Sequence, residues 1–545
     1  MEPWIQIYDP ISKSIGLSAL VAGLPIYALF YLLAVKRMKG HVAGGIASLL
    51  ALVAGIAFWG IPASTAIGSY TYGFVFGLFP IVWIVITAIW VYNMTVESGE
   101  FEIIKNSLAC ITDDRRLQAV FIGFAFGSFI EGTAGFGTPV AITAAMLAGL
   151  GFNPLYAAGL CLIANTAPVA FGAVGIPITA LAKATNLNEM AISQIVGRQL
   201  PFLAVIVPIW LSVTMCGFKR SMEVMPALLV AGVAFAGTQF LMSNFHGPAL
   251  PDILSALVTI VALWAFLRVW KPKTVFHFPD EPAPTGPAVC NYSSGEIIRA
   301  WMPYIILAVL VLIQGWPSIK PELAKMINIP IEWPLYHKMV AKMVGDKATA
   351  LPAIYSFQPL AAAGTAILLS GILALFVIPN YGAGRAIKCF GTTIVQLRWP
   401  IVSIGNIVGL AYVMNANGMS TTLGLALAGT GMLFPFFAPI LGWLGVFLTG
   451  SDTSSNLLFG NLQKVTAQAI GVSPELCAAA NTSGGVTGKM ISPQSISVAV
   501  AATGLHGKDG DIFRFTLWHS VAMLMFISCL TMLMAYPLKW MLPVH

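Results

Sequence analysis

Runs of about 20 predominantly apolar residues recur along the chain, close to the length a helix needs to cross a bilayer. Leu17 to Val35, Met225 to Met242, Ile253 to Val269 and Leu517 to Tyr536 are four of them, and another starts at Ala119 and runs on through glycines. Inside lipid every backbone N–H and C=O must be satisfied within the segment, so such runs can only be helices. Composition agrees: 58% of the 545 residues are hydrophobic and 9% are charged, a balance that no soluble globular chain of this size shows. The expectation is an all-α polytopic membrane protein with about 12–14 transmembrane helices. Its Gly-rich regions read either as spans or as re-entrant hairpins. The first apolar run ends at Lys36-Arg37 and reads as a first span rather than a removable leader. The net charge of +7 describes topology, since Lys and Arg sit at span ends, and does not indicate nucleic-acid binding. The seven cysteines are scattered with no Cys-x-x-Cys pair, so neither a metal site nor a disulfide framework is indicated.

Part of the chain is written twice. Gly151 to Pro154, Asn165-Thr166, Gly172 and Pro177 recur as Gly471 to Pro474, Asn481-Thr482, Gly488 and Pro493. In both copies the Asn-to-Gly interval is 7 and the Asn-to-Pro interval 12. Upstream, Pro80-Ile81-Val82 recurs as Pro400-Ile401-Val402, and Ser98-Gly99 as Asn417-Gly418; all pairs lie 316 to 320 residues apart. The copies carry opposite charge flanks. No Lys or Arg lies between Lys39 and Lys105, upstream of which the Pro80 span sits, whereas Arg385, Lys388 and Arg398 precede the Pro400 span. By the positive-inside rule the two run in opposite directions, which makes an inverted repeat with broken helices. In such repeats the interruptions mark the binding site. The expected organisation is N-terminal spans over 1–69, a first repeat and following spans over 70–270, a hydrophilic linker over 271–298, spans and a polar loop over 299–383, and a second repeat with a C-terminal span over 384–545. The linker, with Pro272, Pro279, Pro282, Pro284 and Pro287, is expected on the cytoplasmic side, and the polar loop covers Trp316 to Pro352.

Few polar residues in these regions can carry chemistry. Glu131 is the single charged residue from Leu117 to Ala182. A carboxylate at membrane depth costs about 2.5–3.5 kcal/mol, and burial favours its neutral form, so Glu131 could load and release a proton. The bland alternative is a solvated loop residue. The equivalent place in the second copy reads Thr449-Gly450-Ser451-Asp452-Thr453-Ser454-Ser455-Asn456. It has the composition of a re-entrant tip or helix N-cap, whose free N–H groups suit an anion. Asp452 is a second candidate for the proton. The Asn165-Thr166 and Asn481-Thr482 words are expected to be unwound points whose oxygens contact a small polar solute or ion. Lys489 is either the partner of a substrate carboxylate, of Asp452 or of Glu131, or a lysine snorkelling to an interface. Ser483 to Met490 imitates a phosphate loop but lacks its first Gly, the hydroxyl after Lys and a preceding strand. Gly132, Gly135 and Gly137 imitate a dinucleotide loop without a βαβ pattern, and Asp113-Asp114 reads as a charged turn beside Arg115-Arg116. No cofactor is implied.

The words at 127–143, 155–173, 442–456 and 481–495 closely resemble the bacterial L-lactate permease family, which includes glycolate permeases, and the resemblance runs nearly end to end. It implies a multi-pass carrier of the bacterial inner membrane that takes up L-lactate, D-lactate or glycolate by proton symport, and no enzyme. Thr133 and Thr138 depart from the family's commonest form, where Ala is expected, and two added hydroxyls near Glu131 bear on substrate preference. The substrate-binding candidates are Asn165, Thr166, Ser451, Asp452, Thr453, Asn481, Thr482 and Lys489; the proton-coupling candidates are Glu131 and Asp452. The partners are then a 2-hydroxymonocarboxylate, a proton and the bilayer. The Asn-Thr words are also similar to those of a wider ion-transporter superfamily whose members often form homodimers. The rival readings are a sodium-coupled symporter, a passive anion channel and an intramembrane enzyme.

Overall fold

The structure is a computed structural model that describes residues 3–543 apart from 37, 136, 279–291, 317, 345–346 and 506–507. Residues 279–291 of the expected linker therefore lie outside the described residues, as do Arg37, Phe136 and Asp346. Strand β1 (Trp4–Ile5) precedes six helices: α1 (Ile15–Ala22), α2 (Leu24–Phe30), α3 (Gly40–Ala54), α4 (Ala63–Phe76), α5 (Trp83–Ser98) and α6 (Glu100–Ala109). Short pieces follow, α7 (Arg115–Gln118), α8 (Gly127–Thr133), α9 (Thr138–Gly149), α10 (Pro154–Ala164) and α11 (Gly172–Thr185), then the long α12 (Glu189–Ser221), α13 (Met225–Phe245) and α14 (Pro251–Val269). Helices α15 (Ser294–Gly315) and α16 (Lys320–Met326) lead into β2 (Ile329–Glu332), β3 (Val340–Val344), β4 (Lys347–Ala350) and β5 (Ile354–Phe357). The chain closes with α17 (Ala363–Ala374), α18 (Ala383–Ala416), α19 (Met419–Leu427), α20 (Phe434–Thr449), α21 (Asp452–Ile470), α22 (Pro474–Lys489), α23 (Pro493–Thr503) and α24 (Asp509–Ala535).

Among the described residues nine helical stretches are long and apolar enough to cross a membrane, ten if the bent pair Pro154–Ala164 and Val169–Thr185 is one span. This is fewer than the twelve to fourteen expected, for two reasons. Helices α12 and α13 form one stretch, Glu189–Phe245, that doubles back on itself. Ser193 Oγ donates to the Ser243 carbonyl (2.9 Å) and Ser212 Oγ to Ser221 Oγ (2.9 Å), as in a hairpin. The Gly-rich words fold as short pieces such as α8 and α9, too short to span alone.

The two ends of the bundle differ. At one, β3 pairs in parallel with β1 and antiparallel with β4, and β2 pairs antiparallel with β5. The expected polar loop is thus a small β layer seated on the helix ends. Tyr72 of α4 holds it through rings of Trp333, Tyr336 and Tyr355, with centroids 5.6, 5.7 and 6.3 Å away. At the other end basic residues gather. Trp399, next to Arg398, stacks on His41 at 4.3 Å. Arg116 is fully buried and pairs with Asp114 (2.6 Å) and Glu223 (2.9 Å) while donating to the carbonyls of Arg220 (2.6 Å) and Thr274 (2.8 Å). Phe276 N donates to Asp114 Oδ2 (3.1 Å), so the start of the expected linker is pinned to this surface. A ring chain, Phe278–Tyr156–Phe515, ties the same segment to α10 and α24. By the positive-inside rule this basic end is cytoplasmic.

The duplicated words repeat their local conformation. Gly99 (φ 85°) and Gly418 (φ 87°) both turn the chain between two helices in a left-handed conformation open to glycine. Asn153 caps α10, accepting from Leu155 N, and Ser473 caps α22 in the same way, accepting from Leu476 N. Helix α5 starts beneath the β layer, where Trp83 Nε1 donates to Thr365, and ends by Arg385, whose guanidinium donates to the Glu97 carbonyl (3.1 Å). Helix α18 starts beside Arg385 and ends where Gln6 Nε2 donates to the carbonyls of Asn415 and Ala416 (2.7 Å each).

Candidate functional site

Four broken elements meet in the interior. Helix α8 carries Glu131; the stretch between α10 and α11 unwinds; α21 begins at Asp452; and α22 ends at Lys489. The distortion runs on into the first turn of α11, where Ala173, Val174 and Gly175 have φ of 43, 59 and 75°, a conformation that a β-branched valine adopts only under constraint. Helix α20 stops at Gly450 and α21 restarts with Ser451 as its N-cap, Oγ accepting from Ser454 N (3.2 Å). These pieces enclose a cavity of about 60 Å³, room for a few water-sized groups, with Glu131, Ser451, Asp452, Thr453, Lys489 and Gln494 on its wall.

The central contact joins the two halves of the chain. Lys489 Nζ and Glu131 Oε1 are 2.7 Å apart with side chains 8% and 4% exposed. Asn165 Nδ2 donates to the other carboxylate oxygen, Glu131 Oε2 (2.9 Å). Lys489 is therefore buried and paired, and the snorkelling alternative fails. Asp452 also lines the cavity; Oδ2 accepts a long bond from Asn456 Nδ2 (3.4 Å), and Oδ1 is buried without a partner among the described residues. Asn456 also donates to the carbonyl of Pro177 (3.2 Å) and accepts from Asn481 Nδ2 (2.9 Å), which ties α21 to α11 and α22.

The Asn-Thr expectation holds in one copy and fails in the other. Asn165 ends α10 and Thr166 lies in the following turn, where the helix breaks. Asn481 and Thr482, in contrast, sit inside α22, which is continuous from Pro474 to Lys489; the chain breaks only after Lys489. The physical reason is packing. Asn481 Oδ1 accepts from Gln463 Nε2 (3.1 Å), so its amide is satisfied without unwinding. Gly484 and Gly488 let α22 lie directly on α20, since a Cβ at either would run into the carbonyl of Pro439 or Trp443. Thr166, Asn481 and Thr482 do not line the cavity, and Asn165 acts behind it through Glu131. Thr133 donates to the carbonyls of Phe129 (3.0 Å) and Ile130 (3.3 Å), so this hydroxyl serves its own helix and not the cavity.

Sequence reasoning missed two residues. Asp252, in the first turn of α14, is 1% exposed; it packs behind Gly132, and neither of its oxygens has a hydrogen-bond partner. It lies within electrostatic reach of Glu131 and Lys489. Its neighbour Gln239 gives its amide to the Ala167 carbonyl instead (3.1 Å). An acid opening an apolar run was the available signal, hidden by starting that run at Ile253. The other is Gln494, whose word was read for Lys489 alone.

A family model described as L-lactate permease matches residues 18–538. The chain belongs to that family. It is a permease, a multi-pass protein of the bacterial cytoplasmic membrane, and not an enzyme. The permease is 50% identical to the L-lactate permease of Bacillus subtilis over 99% of this chain and 100% of that one. It is 51% identical to the glycolate permease GlcA of Escherichia coli over 99% and 100% of the two chains, and 49% identical to the Escherichia coli L-lactate permease over 100% of each. Among solved structures, the YdaH transporter of Alcanivorax borkumensis aligns at 16% identity over 88% of this chain and 89% of that one, with a TM-score of 0.45.

Proposed function

We propose that this permease imports L-lactate and related 2-hydroxymonocarboxylates, D-lactate and glycolate among them, together with a proton. The observation that carries the reading is the buried Glu131–Lys489 pair on the wall of a cavity that a helix N-terminus also faces. Without substrate, Lys489 is neutralised by Glu131. An anion can take Lys489 only if Glu131 lets go, and an unpaired carboxylate at that depth costs several kcal/mol. A proton on Glu131 removes that cost, so anion and proton load together and the cycle is electroneutral. The free N–H groups at the start of α21, next to Ser451 and Thr453, receive the substrate carboxylate together with Lys489. The unpartnered Oδ1 of Asp452 accepts the substrate's 2-hydroxyl. We read the halves as inverted-topology copies, supported by the repeated turns at Gly99 and Gly418 and by the opposed courses of α5 and α18.

The test is labelled L-lactate uptake into sodium-free proteoliposomes, with and without an inward proton gradient, competed with glycolate. Gradient-dependent accumulation is expected. Uptake that appears only when sodium is added would replace proton coupling with sodium coupling; equilibration without accumulation would make the protein a passive pathway.

A further inference from the structure

A second, larger cavity adjoins the buried one, with a volume of about 530 Å³. Its walls are the end of α20 (Phe447 to Thr449), the start of α23 with Gln494 and Ser497, the start of α24 with Asp509 and Phe513, and Leu33, Met38 and Gly40 from the N-terminal spans. These residues stand at the basic end of the bundle, beside Lys36, Lys39 and Lys508. Gln494 lines both cavities. Its side chain lies across the joint between α20 and α21, so close that a Cβ at Gly450 would run into its Oε1. It is exposed, and its amide makes no hydrogen bond to another described residue. An amide without an internal partner, set between a wide chamber and a charged pocket, can receive a polar solute.

We propose that the 530 Å³ chamber is the cytoplasmic vestibule of the substrate site and that Gln494 is the gate and positioning residue between them, its amide handing the monocarboxylate between the chamber and Lys489. The structure is then the inward-facing state. Continuity argues for the occupant, because both volumes share Gln494 and the deeper one holds the ion pair that an anion must open. Lys36 and Lys39 near the mouth favour an anion, whereas Lys508 is paired with Asp511 (3.5 Å) and the Asp509 carboxylate on the wall opposes one. A neutral amide suits this position because it can donate to a carboxylate and accept from a hydroxyl. The proposal rests on the monocarboxylate reading for its substrate, but not for its sidedness.

Two arms test it. Ser497→Cys is labelled with a membrane-impermeant anionic thiol reagent in right-side-out and inside-out vesicles, with the parent chain in parallel to account for its own cysteines. Labelling from the cytoplasmic face, with loss of L-lactate uptake, is expected. Labelling only from the outer face, or labelling that leaves uptake intact, overturns the vestibule. In the second arm Gln494→Glu, equal in shape, puts a like charge on the path and is expected to lower uptake kcat/KM at least about tenfold at neutral pH, with recovery as the medium is acidified. Recovery separates a charge effect from a folding defect. Parent-like uptake by Gln494→Glu at neutral pH, or a loss that acid does not relieve, overturns the gate. If L-lactate proves not to be a substrate of the parent, the sidedness of labelling still decides the vestibule.

Discussion

Glu131→Gln is the perturbation that bears hardest on the coupling mechanism. On the proposed cycle an arriving anion competes with Glu131 for Lys489 across a 2.7 Å contact that is almost wholly buried. A charge-assisted hydrogen bond of this kind contributes about 1.5–3 kcal/mol. Glutamine keeps the shape and the acceptor but removes the competing charge. Binding of L-lactate to Glu131→Gln should therefore tighten by about ten- to a hundredfold at neutral pH. It should also lack the pH dependence that the proposed proton coupling expects of the parent, tighter binding as pH falls. With no proton to carry, the variant should fail to accumulate substrate under a proton gradient yet retain one-for-one exchange. Equilibrium binding of labelled L-lactate across a pH series, alongside counterflow and gradient-driven uptake in proteoliposomes, reads all three. Removing one member of a buried pair also costs stability, about 3–5 kcal/mol. The double variant Glu131→Gln with Lys489→Met should regain most of what Lys489→Met alone loses, because neither then leaves a buried charge. Parent-like accumulation by Glu131→Gln, or an unchanged pH dependence of its binding, would refute the exchange argument.

Asp452→Asn removes the free acceptor assigned to the 2-hydroxyl. It should shrink the preference for L-lactate over propionate about tenfold or more, measured by competition of uptake, because a site built for a hydroxyl rejects its absence. Asp252→Asn replaces an acid with two unpartnered oxygens by a neutral side chain of the same size, so thermal stability in detergent should hold or rise. Arg116→Ala strips partners from Asp114, Glu223 and the carbonyls of Arg220 and Thr274. It should cost about 3–5 kcal/mol and expose the 271–278 segment to protease added to inside-out vesicles, where the parent resists.

What could be read from the sequence follows from how local each signal is. Apolar length fixes a helix in lipid without reference to any neighbour, so the helical, membrane-embedded class was readable. The Ser451 cap and the break after Asn165 are written within a few residues of themselves, and they stand where the words place them. Asn481-Thr482 misled because the same dipeptide answers to two neighbourhoods. Next to Glu131, Asn165 has a carboxylate to serve and a helix to end. Asn481 has Gln463 and Asn456 within reach and glycines that press α22 onto α20, so the helix keeps going. The difference lies in partners 18 and 25 residues away for Asn481, which no local word contains.

The ion pair shows the same limit at its longest reach. Glu131 and Lys489 each stood out as the one formal charge in a long neutral stretch, and each alone admitted a bland reading. Their separation of 358 residues hides the fact that settles both: each is the other's counter-ion. A buried acid and a buried base that would each be costly alone are tolerated together, and the tolerance is conditional. Whatever takes Lys489 must leave Glu131 neutral, and whatever charges Glu131 again must free Lys489. A transporter needs that kind of mutual exclusion, and the proposed cycle builds it from one residue of each half of the chain.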